Sequence, residues 1–81
     1  MNTRKLRKEL ERKYIGVLAE ISKANKDGDW MPDAGVAFDM LMHEYFAYLG
    51  LRDRTHKYEG VPSDFNWYAF GKDIKPLIKE K

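Results

Sequence analysis

The chain has 81 residues, of which 43% are hydrophobic, 14% aromatic and 35% charged, and its net charge at pH 7 is +2. These values indicate one small folded domain and exclude a disordered chain. No apolar run approaches the roughly 18 residues that a membrane span requires, so no membrane partner is expected. The absence of cysteine excludes disulfides and thiolate metal sites and favours a cytoplasmic location.

The N-terminal third predicts one long helix, from Thr3 to Asn25, with Thr3 as its N-cap. Gly16 lies in the middle of this helix, so either another backbone passes close to it or the helix bends there. The helix is indicated by apolar residues that recur at steps of three and four, namely Leu6, Leu10, Tyr14, Val17, Ile21 and Ala24.

A second helix is predicted from Pro32 to Leu49, with Gly50 as a left-handed C-cap. Apolar and aromatic side chains cover most of its surface, which is typical of a helix that is central to the core or buried in an interface. Leu51 can fold back onto the helix end, as such caps often require. We expect this helix to fill the interior of the domain.

The last third is harder to assign. Residues 52–62 have no helical period and predict a loop or short hairpin. Ser63 can cap a short helix that ends at Gly71, although the aromatic residues within it also suit a strand. A final helix is predicted over 72–79, where Pro76 fits only near the first turn. The expected fold is therefore all-α or mainly α, a compact domain of three to four helices.

No catalytic or metal-binding motif is complete. His43 follows Asp39 by one helical turn, and His43-Glu44 begins like a zinc-protease motif, but Ala47 stands where the second histidine is needed. The turn over 25–29 does not supply the ligands of a calcium loop. We therefore predict a non-enzymatic protein with no metal and no cofactor.

Charge is distributed unevenly along the chain. Residues 1–28 carry a net charge of +4, residues 29–50 carry −4, and residues 51–81 carry +2. The three segments could dock by opposite charge, or the two basic ends could form one face that binds nucleic acid. The candidate phosphate contacts are Lys5, Lys8, Arg12, Arg52, Arg54, Lys57, Lys72 and Lys75, with Tyr58 as a stacking group.

The stretch over 38–75 resembles the winged-helix segment of phage and plasmid primase-helicases. The resemblance rests on a helix with Tyr45 and Tyr48, a basic loop, and the run Tyr-Ala-Phe-Gly-Lys-Asp-Ile-Lys over 68–75. It implies a winged-helix-like arrangement in which the helix from Gly71 to Lys79 is presented to DNA, with its lysines toward phosphate.

Two functions of different classes follow. The leading hypothesis is a nucleic-acid-binding module, for DNA in preference to RNA, provided that the cations of both ends form one patch. The alternative, favoured if those cations are dispersed, is a phage-like or mobile-element accessory or inhibitor that covers a host protein. Aromatic and methionine contacts would then form the interface, namely Met40, Tyr45, Tyr48, Trp67 and Tyr68. A homodimer paired through the second helix is a third alternative.

Overall fold

The computed structural model describes residues 2–25, 33–51 and 58–79, and within these ranges the chain forms four helices and no strand. The all-α class is therefore confirmed. The winged-helix arrangement is not confirmed, because the described residues include no β-hairpin that could serve as a wing. The helices are α1 (Thr3–Lys13), α2 (Ile15–Ala24), α3 (Ala34–Tyr48) and α4 (Trp67–Lys79).

The predicted first helix is divided in two at Tyr14, whose backbone leaves the helical region with φ −103° and ψ 22°. No atom lies within 4 Å of the position that a Cβ on Gly16 would take, so no backbone passes close to it. The break occurs at Tyr14 because its side chain is held by α4. Its ring centroid lies 5.1 Å from that of Phe70, and its hydroxyl donates to Asp73.

The N-terminal cap of α1 is Asn2, not the expected Thr3. The Asn2 Oδ1 accepts hydrogen bonds from the backbone N–H groups of Arg4 at 3.0 Å and Lys5 at 3.3 Å. Asn is as good a capping residue as Ser or Asp, because its carbonyl oxygen satisfies N–H groups that have no partner within the first turn.

The third helix is central, as predicted. Phe38 and Leu41 are fully buried within it, and the carboxylate of Asp33 caps its start by accepting from the Val36 N–H at 2.9 Å. At its end Gly50 adopts φ +75°, as expected for a left-handed cap. Leu51 donates its N–H to a carbonyl of the last turn but leaves 67% of its surface exposed, so its predicted apolar contact is weak.

The two helices predicted after residue 62 form a single helix, α4. Its N-cap is Asn66, whose Oδ1 accepts from the Ala69 N–H at 3.0 Å, and Ser63 lies in a turn before it. Both Gly71 and Pro76 lie inside α4. The helix continues through them because it presents Phe70 and Ile74, both fully buried, to the core.

The segment 58–62, which leads into α4, crosses the surface of α2. The Asn25 side chain donates to the Glu59 carbonyl oxygen at 2.6 Å, and its Oδ1 accepts from the Glu59 N–H at 3.4 Å. Gly60, with φ +96°, lies so close to α2 that a Cβ there would be 2.5 Å from the Ile21 Cα. This position therefore requires glycine for its conformation and for the space.

The core is built around the ring of Phe70. This ring contacts aromatic rings from the α1–α2 junction, from α3 and from α4 itself. The residues with the largest fully buried side chains are Phe38, Phe70, Leu18, Ile21, Leu41 and Ile74.

Replacing Phe70 with alanine should lower the free energy of unfolding by about 3–5 kcal/mol, because a fully buried ring is removed and a cavity remains. The matched control on the same helix is Tyr68→Ala. Tyr68 is 76% exposed, so its replacement should change stability by no more than about 0.5 kcal/mol. Urea denaturation followed by circular dichroism measures both, and similar midpoints for the two variants would contradict the central role of Phe70.

Replacing Gly60 with alanine should destabilise the fold more than replacing Gly50. Each glycine has a positive φ, which costs other residues about 1–2 kcal/mol. At Gly50 the added methyl group meets no atom within 4 Å, whereas at Gly60 it meets the backbone of Ile21. Thermal denaturation of the two variants isolates the steric contribution. Equal destabilisation would show that segment 58–62 can move away from α2 at little cost.

Candidate functional site

A groove of about 280 Å³ lies between the C-terminal end of α3 and the first three turns of α4. It brings together four of the five residues predicted for a protein interface and two of those predicted for phosphate. Its lining residues are Tyr45, Tyr48, Leu49, Trp67, Tyr68, Gly71, Lys72 and Lys75.

Three of these rings form a nearly parallel set. Tyr45 and Tyr48 are three residues apart on α3, which places them on one face of the helix, and their rings are stacked at 6.4 Å with an interplanar angle of 22°. Trp67 of α4 stacks against Tyr48 at 5.7 Å and 20°. Because 54% of Tyr48 remains exposed, this set is accessible from solvent.

Gly71 allows α3 and α4 to approach closely at the groove. A Cβ at this position would lie 2.5 Å from the Tyr45 Oη. Any larger residue would displace the Tyr45 ring, which also packs edge-on against Phe70 with centroids 5.8 Å apart. The glycine that was predicted to end a helix instead shapes the inner wall of the groove.

Two lysines form one rim of the groove. Lys72 and Lys75 are exposed and lie about one turn apart on α4. The Lys72 Nζ is 5.8 Å from the centroid of the Tyr68 ring, within the range of a cation–π contact. Within the described part of the chain neither lysine forms an ion pair, so both are available to an anionic ligand.

The orientation of α4 is set on its other side by Asp73. Its Oδ2 accepts from the Lys13 Nζ and from the Tyr14 hydroxyl, each at 2.6 Å. These two hydrogen bonds lower the pKa of Asp73. Burial, together with the hydrogen bond to Asp73, raises the pKa of Tyr14. Because Asp73 faces α1, the side of α4 that carries Lys72 and Lys75 is turned toward α3 and solvent.

The basic residues of α1 lie elsewhere. Lys5, Lys8 and Arg12 are exposed on the side of α1 opposite its buried Leu10. None of these three cations is among the described residues that line the groove. Of the predicted phosphate contacts in the described ranges, the groove therefore brings together Lys72 and Lys75.

Other predicted residues lie outside the groove. Tyr58 is half-buried and packs edge-on against the His43 ring, and its N–H donates to Glu44 at 3.4 Å. Met40 is half-buried against the core. The remaining predicted phosphate contacts, Arg52, Arg54 and Lys57, lie outside the described residues, as do the turn over 26–29 and Pro32.

Asp39, one helical turn before His43, forms an ion pair with Arg7 of α1. The Arg7 Nη2 donates to the Asp39 Oδ1 and to the Gly35 carbonyl oxygen, each at 2.9 Å. Its Nε also donates to Glu11 at 3.1 Å. Among the described residues no three potential metal ligands are close enough to hold an ion.

Two lining residues, Leu49 and Gly71, were not among the sequence-based candidates. Leu49 lies four residues after Tyr45, so helical periodicity could have placed it on the same face. No comparable signal exists for Gly71, because its role depends on how closely α3 approaches α4.

Comparison with protein-family models, with curated proteins and with solved structures gives no significant match. No helix in the described ranges is long and apolar enough to cross a membrane. The interpretation of the groove therefore rests on its own side chains.

Replacing Asp73 with asparagine should destabilise the protein by about 1 kcal/mol at neutral pH, because it removes the charge-assisted hydrogen bonds to Lys13 and Tyr14. The folded-state pKa of Asp73 is lowered, so its stabilisation is complete above the unfolded pKa of about 3.9 and is lost as pH falls below it.

The free energy of unfolding of wild type should accordingly exceed that of Asp73→Asn by about 1 kcal/mol throughout pH 5 to 7. This difference in stability should shrink toward zero at lower pH. Thermal unfolding across this range measures it. Asp64→Asn, at an exposed aspartate, is the control and should track wild type throughout. A difference that persists unchanged in acid would show that Asp73 acts by packing and not by its charge.

Proposed function

We propose that this chain is a non-enzymatic nucleic-acid-binding module and that the groove between α3 and α4 is its binding site. The observation that supports this most directly is the position of Lys72 and Lys75 beside a solvent-accessible set of stacked aromatic rings. Cations that attract phosphate, together with ring faces that accept bases, are the two components of nucleic-acid binding without sequence preference.

Local charge supports the proposal better than total charge does. A net charge of +2 exerts little long-range attraction. Lys72 and Lys75, however, are exposed, and no acid is among the described residues that line the groove. Asp73, whose pKa Lys72 helps to lower, is hydrogen-bonded to Lys13 and Tyr14. Binding would proceed by release of counterions from phosphate and would weaken as salt rises.

The polar groups of the groove suit binding. They are the hydroxyls of Tyr45, Tyr48 and Tyr68 and the two ammonium groups, which can hold a ligand by stacking, hydrogen bonding and charge. DNA in preference to RNA, and a cytoplasmic location, remain predictions. The row over Lys5, Lys8 and Arg12 would supply at most a second, separate contact with phosphate.

A second candidate function is the binding of a host protein by the same aromatic residues. Tyr48, Leu49 and Tyr68 are 54%, 47% and 76% exposed, and Tyr and Trp are enriched among the residues that dominate protein interfaces. In this case the aromatic rings would supply most of the affinity and the lysines little. Pull-down before and after nuclease treatment separates the two functions, because a protein partner survives the nuclease.

Replacing both Lys72 and Lys75 with glutamine should weaken binding to a fluorescently labelled oligonucleotide. The slope of log affinity against log salt should also fall, by about 0.7–0.9 for each phosphate that the protein no longer neutralises. The control is Lys5→Gln with Lys8→Gln, which removes the same charge from α1 and should leave most of the affinity and slope.

Fluorescence anisotropy at several salt concentrations measures these effects. Equal weakening in the two double variants would mean that charge acts diffusely and not through the groove. Absence of binding by the wild-type chain at about 50 mM salt, where phosphate contacts are strong, would remove the nucleic-acid proposal.

A further inference from the structure

We infer that the ligand of the groove is single-stranded nucleic acid, whose unpaired bases stack on Tyr48 and Trp67 while Lys72 and Lys75 hold its backbone. This inference rests on the proposed function and specifies its substrate class. It follows from the geometry of the rings, the shape of the groove and the position of the lysines.

Tyr48, the most exposed ring of the set, offers a surface on which an unpaired base can stack. Tyr45, Tyr48 and Trp67 lie within 26° of parallel. In a duplex each base is covered on both faces by its neighbours, and proteins reach only its edges in the grooves. A splayed base instead exposes its whole π-face, and stacking on aromatic side chains is the usual way in which single strands are bound.

The site is concave, whereas bases in the major groove of a duplex are read by a protruding element. The major groove, about 12 Å wide, is entered by a protruding helix or ribbon. Here α3 and α4 enclose a groove of about 280 Å³, slightly below the roughly 300–1,000 Å³ of sites for drug-sized ligands. Such a space admits a flat group that protrudes from a strand and does not admit a double helix.

The lysines lie where the backbone of a stacked strand would run. Lys72 and Lys75 occupy the α4 side of the groove, and Tyr45 and Tyr48 occupy the α3 side. The Lys72 Nζ is only 5.8 Å from the Tyr68 ring, so phosphate and base could be contacted in adjacent positions. A basic track beside aromatic faces is typical of grooves that follow a single strand.

The inner wall of the groove is already fixed in the unbound protein. Tyr45 and Trp67 both pack edge-on against Phe70, with centroid distances of 5.8 and 6.2 Å and interplanar angles of 73° and 85°. Rings held in this way lose little conformational freedom on binding, which favours affinity.

The test uses the full chain with Trp30→Phe, which leaves Trp67 as the only tryptophan, since the sequence contains two. An oligo(dT) strand and a DNA duplex of equal length are titrated against it at the same salt concentration. We expect oligo(dT) to quench Trp67 fluorescence and to bind more tightly than the duplex.

Tyr48→Ala should weaken oligo(dT) binding by about 5- to 150-fold, the range found when one stacking ring is removed. Tyr48→Phe is the matched control and should lose much less affinity than Tyr48→Ala, because it keeps the ring and loses only the hydroxyl. Tyr48 is 54% exposed, so both variants should fold, and circular dichroism verifies this.

Four results would overturn the inference. Base stacking would be refuted if the duplex bound as tightly as oligo(dT). It would also be refuted if Tyr48→Ala bound oligo(dT) like wild type while the double variant Lys72→Gln with Lys75→Gln bound it more weakly. Both results would leave the proposed function intact. Poly-glutamate that binds and quenches Trp67 as well as oligo(dT) would show that the groove selects charge alone. Failure of both DNA forms to bind would remove the inference and the proposed function together.

Discussion

The structure depends on the packing of one ring, that of Phe70, against aromatic side chains from the rest of the chain. Tyr14 meets it edge-on from the α1–α2 junction at 5.1 Å, and Tyr45 meets it from α3 at 5.8 Å. Edge-to-face contacts of this kind add roughly 0.5–1.5 kcal/mol each beyond the burial of area, and they favour particular ring orientations. Phe70 therefore fixes the rotation of α4 about its own axis as well as its position.

That rotation decides what the other sides of α4 do. With Phe70 inward, Asp73 is turned to α1, where Lys13 and Tyr14 donate to it, and Lys72 lies beside Tyr68. Gly71 is left facing Tyr45, in a space that a methyl group would already overfill. The rotation of α4 about its axis therefore determines the packing of the core, the hydrogen bonds between α1 and α4, and the shape of the groove.

The sequence predicted the helices with regular apolar stripes and failed where tertiary contacts outweighed local preference. A glycine costs a helix roughly 0.5–1 kcal/mol and an internal proline about 3. Burial of Phe70 and Ile74 contributes about 1.5–3 kcal/mol each, which is similar in size to this cost and helps α4 to continue through Gly71 and Pro76. At Tyr14 the reverse occurred, since contacts with α4 interrupted a stripe that would otherwise continue. The aromatic residues of the groove were identified individually from the sequence. That they lie beside Lys72 and Lys75 could not be predicted, because packing sets the rotation of α4 against α3.

Exposed cations are not equivalent on this surface. Lys5 lies on an outward helix face, beside Glu9 in a shallow depression of α1, so an anion there would meet an acid and no aromatic ring. Lys72 lies at the edge of a groove whose rings are held in place from beneath by Phe70. A strand that contacts Lys5 would gain charge neutralisation alone, which carries no information about sequence. A strand that contacts Lys72 could also stack its bases, and stacking is the contribution that favours an unpaired strand over a duplex.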